Sequence, residues 1–232
     1  MPLLTVFELK KSYRTPEGGI HQVVDVPSFE LPEKQQLALS GASGTGKTTF
    51  LNLIAGIVPA DAGQIKIGSA EITKMSEGAR DRVRATELGY IFQTFNLLQG
   101  FTCLENVVLG MSFGRVPSRG KQNRAFAESL LERVGLKDRM SHFPRQLSTG
   151  QQQRVAVARA LANQPRLVLA DEPTGNLDPT NAREALALIR ESCEEKGAAL
   201  LLVSHDPEIL GQFERRQDLK ELNKASRQEE TA

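Results

Sequence analysis

Cysteine is scarce in this chain, 2 residues in 232. Cys103 and Cys193 belong to no CxxC pair and have no histidine cluster beside them, which excludes a disulfide framework and a zinc site. Both are expected as small buried hydrophobes. Charge of one sign is missing as well. Lys and Arg total 29 against 28 Asp and Glu, a formal net charge of +1, so there is no electrostatic footprint for wrapping nucleic acid and no nucleic-acid partner is expected. Long apolar runs are absent. The longest, Ala198 to Val203, falls far short of the roughly 20 residues that cross a bilayer, so no direct membrane insertion is expected, and a membrane process would need a second chain. The opening Met-Pro-Leu-Leu-Thr-Val-Phe-Glu lacks a basic region followed by an apolar run of roughly 7–15 residues, so no secretion signal is expected. The chain shows no internal repeat and no low-complexity linker.

What is present is an ordinary globular balance, 40% apolar and 25% charged residues, which can bury a sizeable core. At roughly 150 residues per domain, the length suits one large domain with an inserted lobe. Strands are predicted at 4–9, 23–31, 36–40, 65–67 and 89–92, with a turn at Pro16, Gly18 and Gly19 and a helix over 47–56. From Phe95 to about Ala162 the pattern becomes helical, at 104–111, 124–134 and 151–162. Alternation then resumes, with strands at 167–170 and 199–204 and helices at 179–195 and 207–213. This order argues for an α/β fold with a mostly parallel, helix-covered sheet and a helical insertion. The segment from Glu214 to Ala232 is dense in charge and reads as a solvated tail, frayed over its last eight or so residues.

The residues Gly41, Ala42, Ser43, Gly44, Thr45, Gly46, Lys47 and Thr48 fit G-x-x-x-x-G-K-[ST] in full, between a predicted strand and a predicted helix that continues with Thr49. Glycines let the backbone curl so that N–H groups face phosphate oxygens, and the helix N-terminus adds partial positive charge. Lys47 would reach the β and γ phosphates, and the Thr48 hydroxyl would sit on Mg²⁺. The run Leu167-Val-Leu-Ala-Asp-Glu172 would deliver two carboxylates at the C-terminal edge of a buried strand, where ligands bind in open α/β sheets. Asp171 would hold the Mg²⁺ hydration shell and Glu172 would accept a proton from attacking water. Leu147-Ser-Thr-Gly-Gln151 opens a helix, with Ser148 a natural N-cap.

With Gln93 and His205 in the same order along the chain, these motifs resemble those of the ATP-binding cassette (ABC) ATPases over residues 4 to about 222. The resemblance implies a P-loop NTPase fold: a RecA-like core with a small antiparallel β subdomain over about 1–93 and 164–222, and a helical subdomain over about 94–163. Together these make one domain spanning 1–226, with 227–232 as a frayed tail. It implies ATP and Mg²⁺ as cofactors, Tyr13 as the aromatic stacking on adenine, and Gln93 as the glutamine touching Mg²⁺ and the attacking water. Ser148, Gly150 and Gln151 would form the signature element that binds the γ-phosphate held by the opposite subunit. Asp178 would be the acid of the D-loop, and His205 the switch histidine on the γ-phosphate. Most members carry Gly where this chain has Thr149, which is expected to alter affinity rather than prevent function.

Finer features, Phe92-Gln-Thr-Phe-Asn-Leu-Leu98, His142-Phe-Pro-Arg-Gln-Leu147 and Ala170-Asp-Glu-Pro-Thr-Gly-Asn-Leu-Asp178, look like the lipoprotein-releasing, macrolide-exporting and cell-division group. That resemblance implies a homodimer around two ATP that drives integral-membrane permease subunits from the cytoplasmic face of the cell membrane. Phe95, Leu97, Leu98, Phe101 and Leu104 would line the groove for a permease helix or, equally, form core of the helical lobe, with Gln99 where Pro is more usual. A soluble cassette acting on DNA or the ribosome is the alternative, but such proteins usually carry a coiled-coil insertion, a zinc module or a second cassette. A P-loop kinase would have no need of Gln93, 147–151 or His205.

Overall fold

The computed structural model describes residues 2–114 and 120–228; the last four positions of the expected frayed tail, 229–232, lie outside them. The elements run β1 (Pro2–Arg14), β2 (Ile20–Pro32), β3 (Gln36–Ser40), α1 (Lys47–Ile54), β4 (Ala62–Ile67), β5 (Ala70–Glu71), α2 (Glu77–Glu87) and β6 (Leu88–Ile91). Three helices follow, α3 (Cys103–Met111), α4 (Gly120–Arg133) and α5 (Thr149–Leu161). The chain then returns through β7 (Leu167–Asp171), α6 (Pro179–Lys196), β8 (Ala199–Ser204), α7 (Pro207–Gly211), β9 (Arg216–Asp218), α8 (Leu219–Leu222) and α9 (Ala225–Gln228).

Two sheets result. An antiparallel one has the order β2-β1-β4-β5, and a parallel one the order β6-β7-β8-β3-β9. Every residue of β7 and β8 is buried, which is why both read as unbroken apolar runs: helices or sheet cover each face. Successive residues serve opposite faces. Leu167, Leu169, Leu201 and Val203 join the core shared with the antiparallel sheet and α1. Val168, Ala170, Leu200 and Leu202 join the core under α5, α6 and α7. Each such Leu or Val contributes about 1.5–3 kcal/mol on burial. Phe29 of β2 meets Phe50 of α1 edge to face at 5.5 Å, tying the two sheets together. The helical lobe has its own core around Cys103, Leu104, Val107, Leu131 and Val155. Cys103 and Cys193 are buried and free, as expected.

The α/β expectation holds, and the predicted strands and helices fall within the β1–β8 and α1–α7 elements or within a few residues of their ends, where caps fray. Besides the two-residue β5, which the sequence reading does not include, two features differ. The sequence reading passes over α2, because its only partly buried apolar side chain against the core is Val83. Polar contacts hold it, with Arg84 donating to the Gly56 carbonyl at 2.8 Å. The segment after Glu214 is also more than a solvated tail. β9 extends the parallel sheet beside β3, and Leu219, Asn223 and Ala225 are buried. Leu219 supplies the apolar anchor that the surrounding charge obscured.

Gly89 lets β6 pass close beneath α5. A Cβ there would stand 2.4 Å from the Ala160 carbonyl oxygen and 3.1 Å from a Pro165 carbon. Gly89→Ala is therefore expected to destabilise the protein by about 1–3 kcal/mol, read as a lower urea midpoint; an unchanged midpoint would refute this packing.

Candidate active site

The loop between β3 and α1 is built from left-handed glycines, Gly44 at φ 86° and Gly46 at φ 89°, conformations that cost other residues strain. Thr45 closes it by donating its hydroxyl to the Ala42 carbonyl at 2.9 Å. Gly41 has no room for a side chain, since a Cβ would lie 2.6 Å from the Thr45 hydroxyl. Lys47 curls back over the loop and donates to the carbonyls of Gly41 at 2.6 Å and Ala42 at 2.9 Å. The first turn of α1 carries no acidic residue and no side-chain cap. Its N–H groups and dipole are thus available to an anion.

A cleft of about 430 Å³ opens above this loop. Ala42, Ser43, Gly44, Gly46, Lys47, Thr48, Thr49, Gln93, Glu172 and His205 all line it, joined by Val23 of β2, which sequence reasoning missed. Asp171 sits just beneath, its carboxylate accepting from the Thr48 hydroxyl at 3.2 Å. Burial raises the Asp171 pKa above the ordinary value, the Thr48 hydrogen bond opposes that, the Glu172 charge adds to it and Lys47 counters it. Burial, aided by the charge of Asp171, likewise pushes the Tyr90 phenol well up.

Glu172 follows β7 in the left-handed region at φ 44°, a strain of about 1–3 kcal/mol for a non-glycine residue. The turn is held by its N–H, which donates to Val203 at 3.0 Å. Its effect is to aim the carboxylate into the cleft, 2.8 Å from His205 Nδ1 and 3.6 Å from Lys47 Nζ. The Gln93 carbonyl accepts from the Asn176 amide at 2.7 Å. Just beyond Gln93, Phe95 and Asn96 both take positive φ, 57° and 49°. Arg159 of α5 fixes this turn by donating to both of their carbonyls, at 2.6 and 2.5 Å.

The remaining sequence-predicted residues lie outside the cleft lining. Ser148 caps α5 in a capping box with Gln151, N–H to Oγ at 3.3 Å and N–H to Oε1 at 3.1 Å, and both Ser148 and Thr149 are exposed. Gly150 packs against α6, where a Cβ would meet the Asn181 side-chain oxygen at 2.7 Å. Asn181 in turn donates its amide to the Asp178 carboxylate. Together with the N–H groups of Asn181 and Thr180, that bond holds the Asp178 pKa below its usual value. Tyr13 is half-exposed and pairs across the hairpin with His21. The register shifts between Lys11 and Ser12, which leaves Val23 as the extra residue between Gln22 and Val24, close to this pair. The expected docking groove needs correction: Phe95, Leu97 and Leu104 are buried in the helical-lobe core, and Leu98 and Phe101 stay exposed. A cavity of about 500 Å³ instead opens between lobe and sheet, lined by Arg84, Tyr90, Phe92, Phe113 and Arg159, with Tyr90 and Phe92 stacked at 4.1 Å.

Comparison with known proteins agrees with this geometry. Residues 24–175 match the protein family described as ABC transporter. The lipoprotein-releasing system ATP-binding protein LolD of Treponema pallidum is 42% identical over 221 residues, 95% of this chain and 96% of that protein. The uncharacterized ABC transporter ATP-binding protein YvrO of Bacillus subtilis is 38% identical, covering 92% of this chain and 91% of its own. Among solved structures, the dimeric post-hydrolysis state of the ATP-binding cassette MJ0796 bound to ADP and Pi superposes with a TM-score of 0.86 at 32% identity, covering 96% of this chain and 95% of that one.

The raised pKa of Asp171 has a consequence for stability. Its carboxyl binds a proton more tightly in the folded state, so the stability it contributes is complete below the unfolded pKa and is lost as pH rises through the folded one. At neutral pH the ionised group is a net cost. Asp171→Asn is therefore expected to raise the Tm of the nucleotide-free protein at pH 7.5 by about 2–4 °C, the gain disappearing toward roughly pH 4. A lower Tm at neutral pH would contradict the burial account.

Proposed function

The chain belongs to the ABC transporter family and is an ATPase, and on that premise we propose that two copies close around two ATP molecules to drive a separate membrane permease of the lipoprotein-releasing type. The observation that carries this reading is that the site is divided. The cleft over Lys47 gathers cation, carboxylates and histidine, whereas Ser148 and Gly150 begin a helix elsewhere on the surface. Two copies placed head to tail bring each helix start to the other's cleft, and the dimeric state of the similar cassette MJ0796 supports that arrangement.

Within each cleft, Lys47 and the N–H groups of the loop bind the β and γ phosphates. Tyr13 takes the adenine, with Val23 of the cleft lining beside it. Thr48, Asp171 and Gln93 offer a hydroxyl, a carboxylate and an amide oxygen, a donor set that suits a hard, octahedral Mg²⁺ sharing its shell with phosphate and water. When bound, the ion neutralises developing phosphate charge. Glu172 accepts the proton of the attacking water, and His205 holds that carboxylate in place while reaching the γ-phosphate. Ser148, Gly150 and Gln151 of the opposing copy cover the γ-phosphate from α5, beside Asp178. The cavity at Tyr90, Phe92 and Phe113 receives the permease, in place of the groove expected from the sequence. Among the described residues no helix is long and apolar enough to cross a membrane, so the proposed location is the cytoplasmic face, peripheral to that permease.

Three measurements test this reading together. The ATPase rate is expected to rise faster than linearly with protein concentration. Glu172→Gln should lower kcat by about 10²–10⁴ while retaining MgATP binding and trapping a dimer on a sizing column. Ser148→Arg should abolish hydrolysis while leaving binding by the isolated chain intact. A rate linear in concentration with Ser148→Arg active would overturn the two-copy mechanism.

A further inference from the structure

The segment after β9 ends on a side chain with an unusual set of partners. Asn223 is 1% exposed and lies at the C-terminal end of α8, whose start is capped by Asp218 through the Lys220 N–H at 2.9 Å. Its Nδ2 donates to the Val23 carbonyl at 2.8 Å and to the Thr45 carbonyl at 3.2 Å. Its Oδ1 accepts from the Asp25 N–H at 2.7 Å and the Ala225 N–H at 3.3 Å. Both donors and both acceptor positions of the amide are used. Reversing the amide would set oxygen against two carbonyls, so the orientation follows from the partners.

Those partners are not equivalent. Thr45 lies in the phosphate loop between left-handed Gly44 and Gly46, and Val23 lines the cleft on the side of the β1–β2 hairpin. One buried amide therefore fixes the spacing between the strand that borders the cleft and the loop at its floor. The junction has no slack. A Cβ on Gly46 would lie 2.8 Å from the Val23 carbonyl and 3.4 Å from Asn223 Nδ2. A parallel bond from the Lys224 N–H to the Asp25 carbonyl, 2.8 Å, keeps the segment seated on β2.

We propose that Asn223 is a positioning residue for ATP: it touches no substrate, and it holds the phosphate loop in register with β2 so that both engage the nucleotide at once. The inference rests on the cleft being the ATP site. Removing the amide leaves the Val23 and Thr45 carbonyls and the Asp25 N–H buried without it, and the loop then has to be ordered by the ligand at the expense of affinity. Because this ordering is complete once ATP is bound, the loss falls on binding rather than on the chemical step.

The test compares Asn223→Ala with Leu186→Ala, a fully buried core position outside the cleft lining that lowers stability by cavity formation. MgATP and MgADP affinities are measured by titration calorimetry at a temperature well below each Tm, and ATPase kinetics at saturating enzyme concentration for dimer formation. Asn223→Ala should weaken both nucleotides about tenfold and raise KM in proportion, with kcat at saturating ATP within about twofold of the parent. Leu186→Ala should lower Tm and leave both affinities unchanged. Should Asn223→Ala not fold, the isosteric Asn223→Asp serves: its carboxylate has no donor and its acid form a single O–H in place of two N–H groups, so nucleotide affinity should still fall. Parent-like affinity in a folded Asn223 variant, or an equal loss in Leu186→Ala, would overturn the proposal. Failure of the parent chain to bind MgATP would instead overturn the reading of the cleft.

Discussion

The ammonium of Lys47 is the point on which the site depends. It is almost wholly buried, 8% exposed, and a buried cation is tolerated only where oxygen atoms surround it. The two carbonyls of the glycine loop and the Glu172 carboxylate supply them. Each supplier imposes a demand on the fold. The loop must curl, which requires left-handed glycines. Glu172 must face inward, which requires strain at the end of β7. Both must meet at the C-terminal edge of one parallel sheet, which the order β7-β8-β3 provides by placing the two parent strands on either side of β8. With Asp171 included, the local side-chain charge is one cation against two carboxylates. A phosphate chain accompanied by a divalent ion meets complementary groups of both signs there.

Around this fixed centre the connections to the helical lobe are few and specific. Arg159 reaches from α5 to two consecutive left-handed residues after Gln93, so a shift of that helix is carried directly to the glutamine. At the other end of α5, the absence of a side chain on Gly150 lets Asn181 approach, and Asn181 is bonded to Asp178. The two ends of one helix are thereby tied to two different loops. Packed interiors transmit such displacements because they compress little. Thr149 stands outside both ties, exposed at the helix start.

Much of this was legible in the order of residue types. Parallel strands buried on both faces announce themselves as apolar runs, so β7 and β8 were plain, and the glycine loop was readable because its spacing serves one purpose. Ala42 to Gly44, Gly46 to Thr49, Gln93, Glu172 and His205 line one cleft. What escaped depended on tertiary partners. Val23 is an ordinary strand valine until the hairpin folds over the loop. α2 carries almost no apolar stripe and is secured by an arginine on the carbonyl end of another helix. Phe95, Leu97 and Leu104 have the composition of either a surface groove or a core, and only their neighbours decide. The last segment looked solvated because its charges outnumber the two leucines, Leu219 and Leu222, that anchor it to the core.

The sheet order bears on how the protein is made. β3 carries the phosphate loop, yet its two neighbours, β8 and β9, begin at Ala199 and Arg216. A ribosome releases the loop-bearing strand early and both of its pairing partners late. Until then Leu37, Ala38 and Leu39 have unmatched backbone groups and no cover on either edge, the type of exposed strand that invites aggregation during synthesis. The large sequence separation also predicts slow closure of the sheet, since long loops must be ordered before their contacts form. The nucleotide pocket is thus the product of a finished chain, and the growing polypeptide passes through a stage that depends on protection before it can use ATP at all.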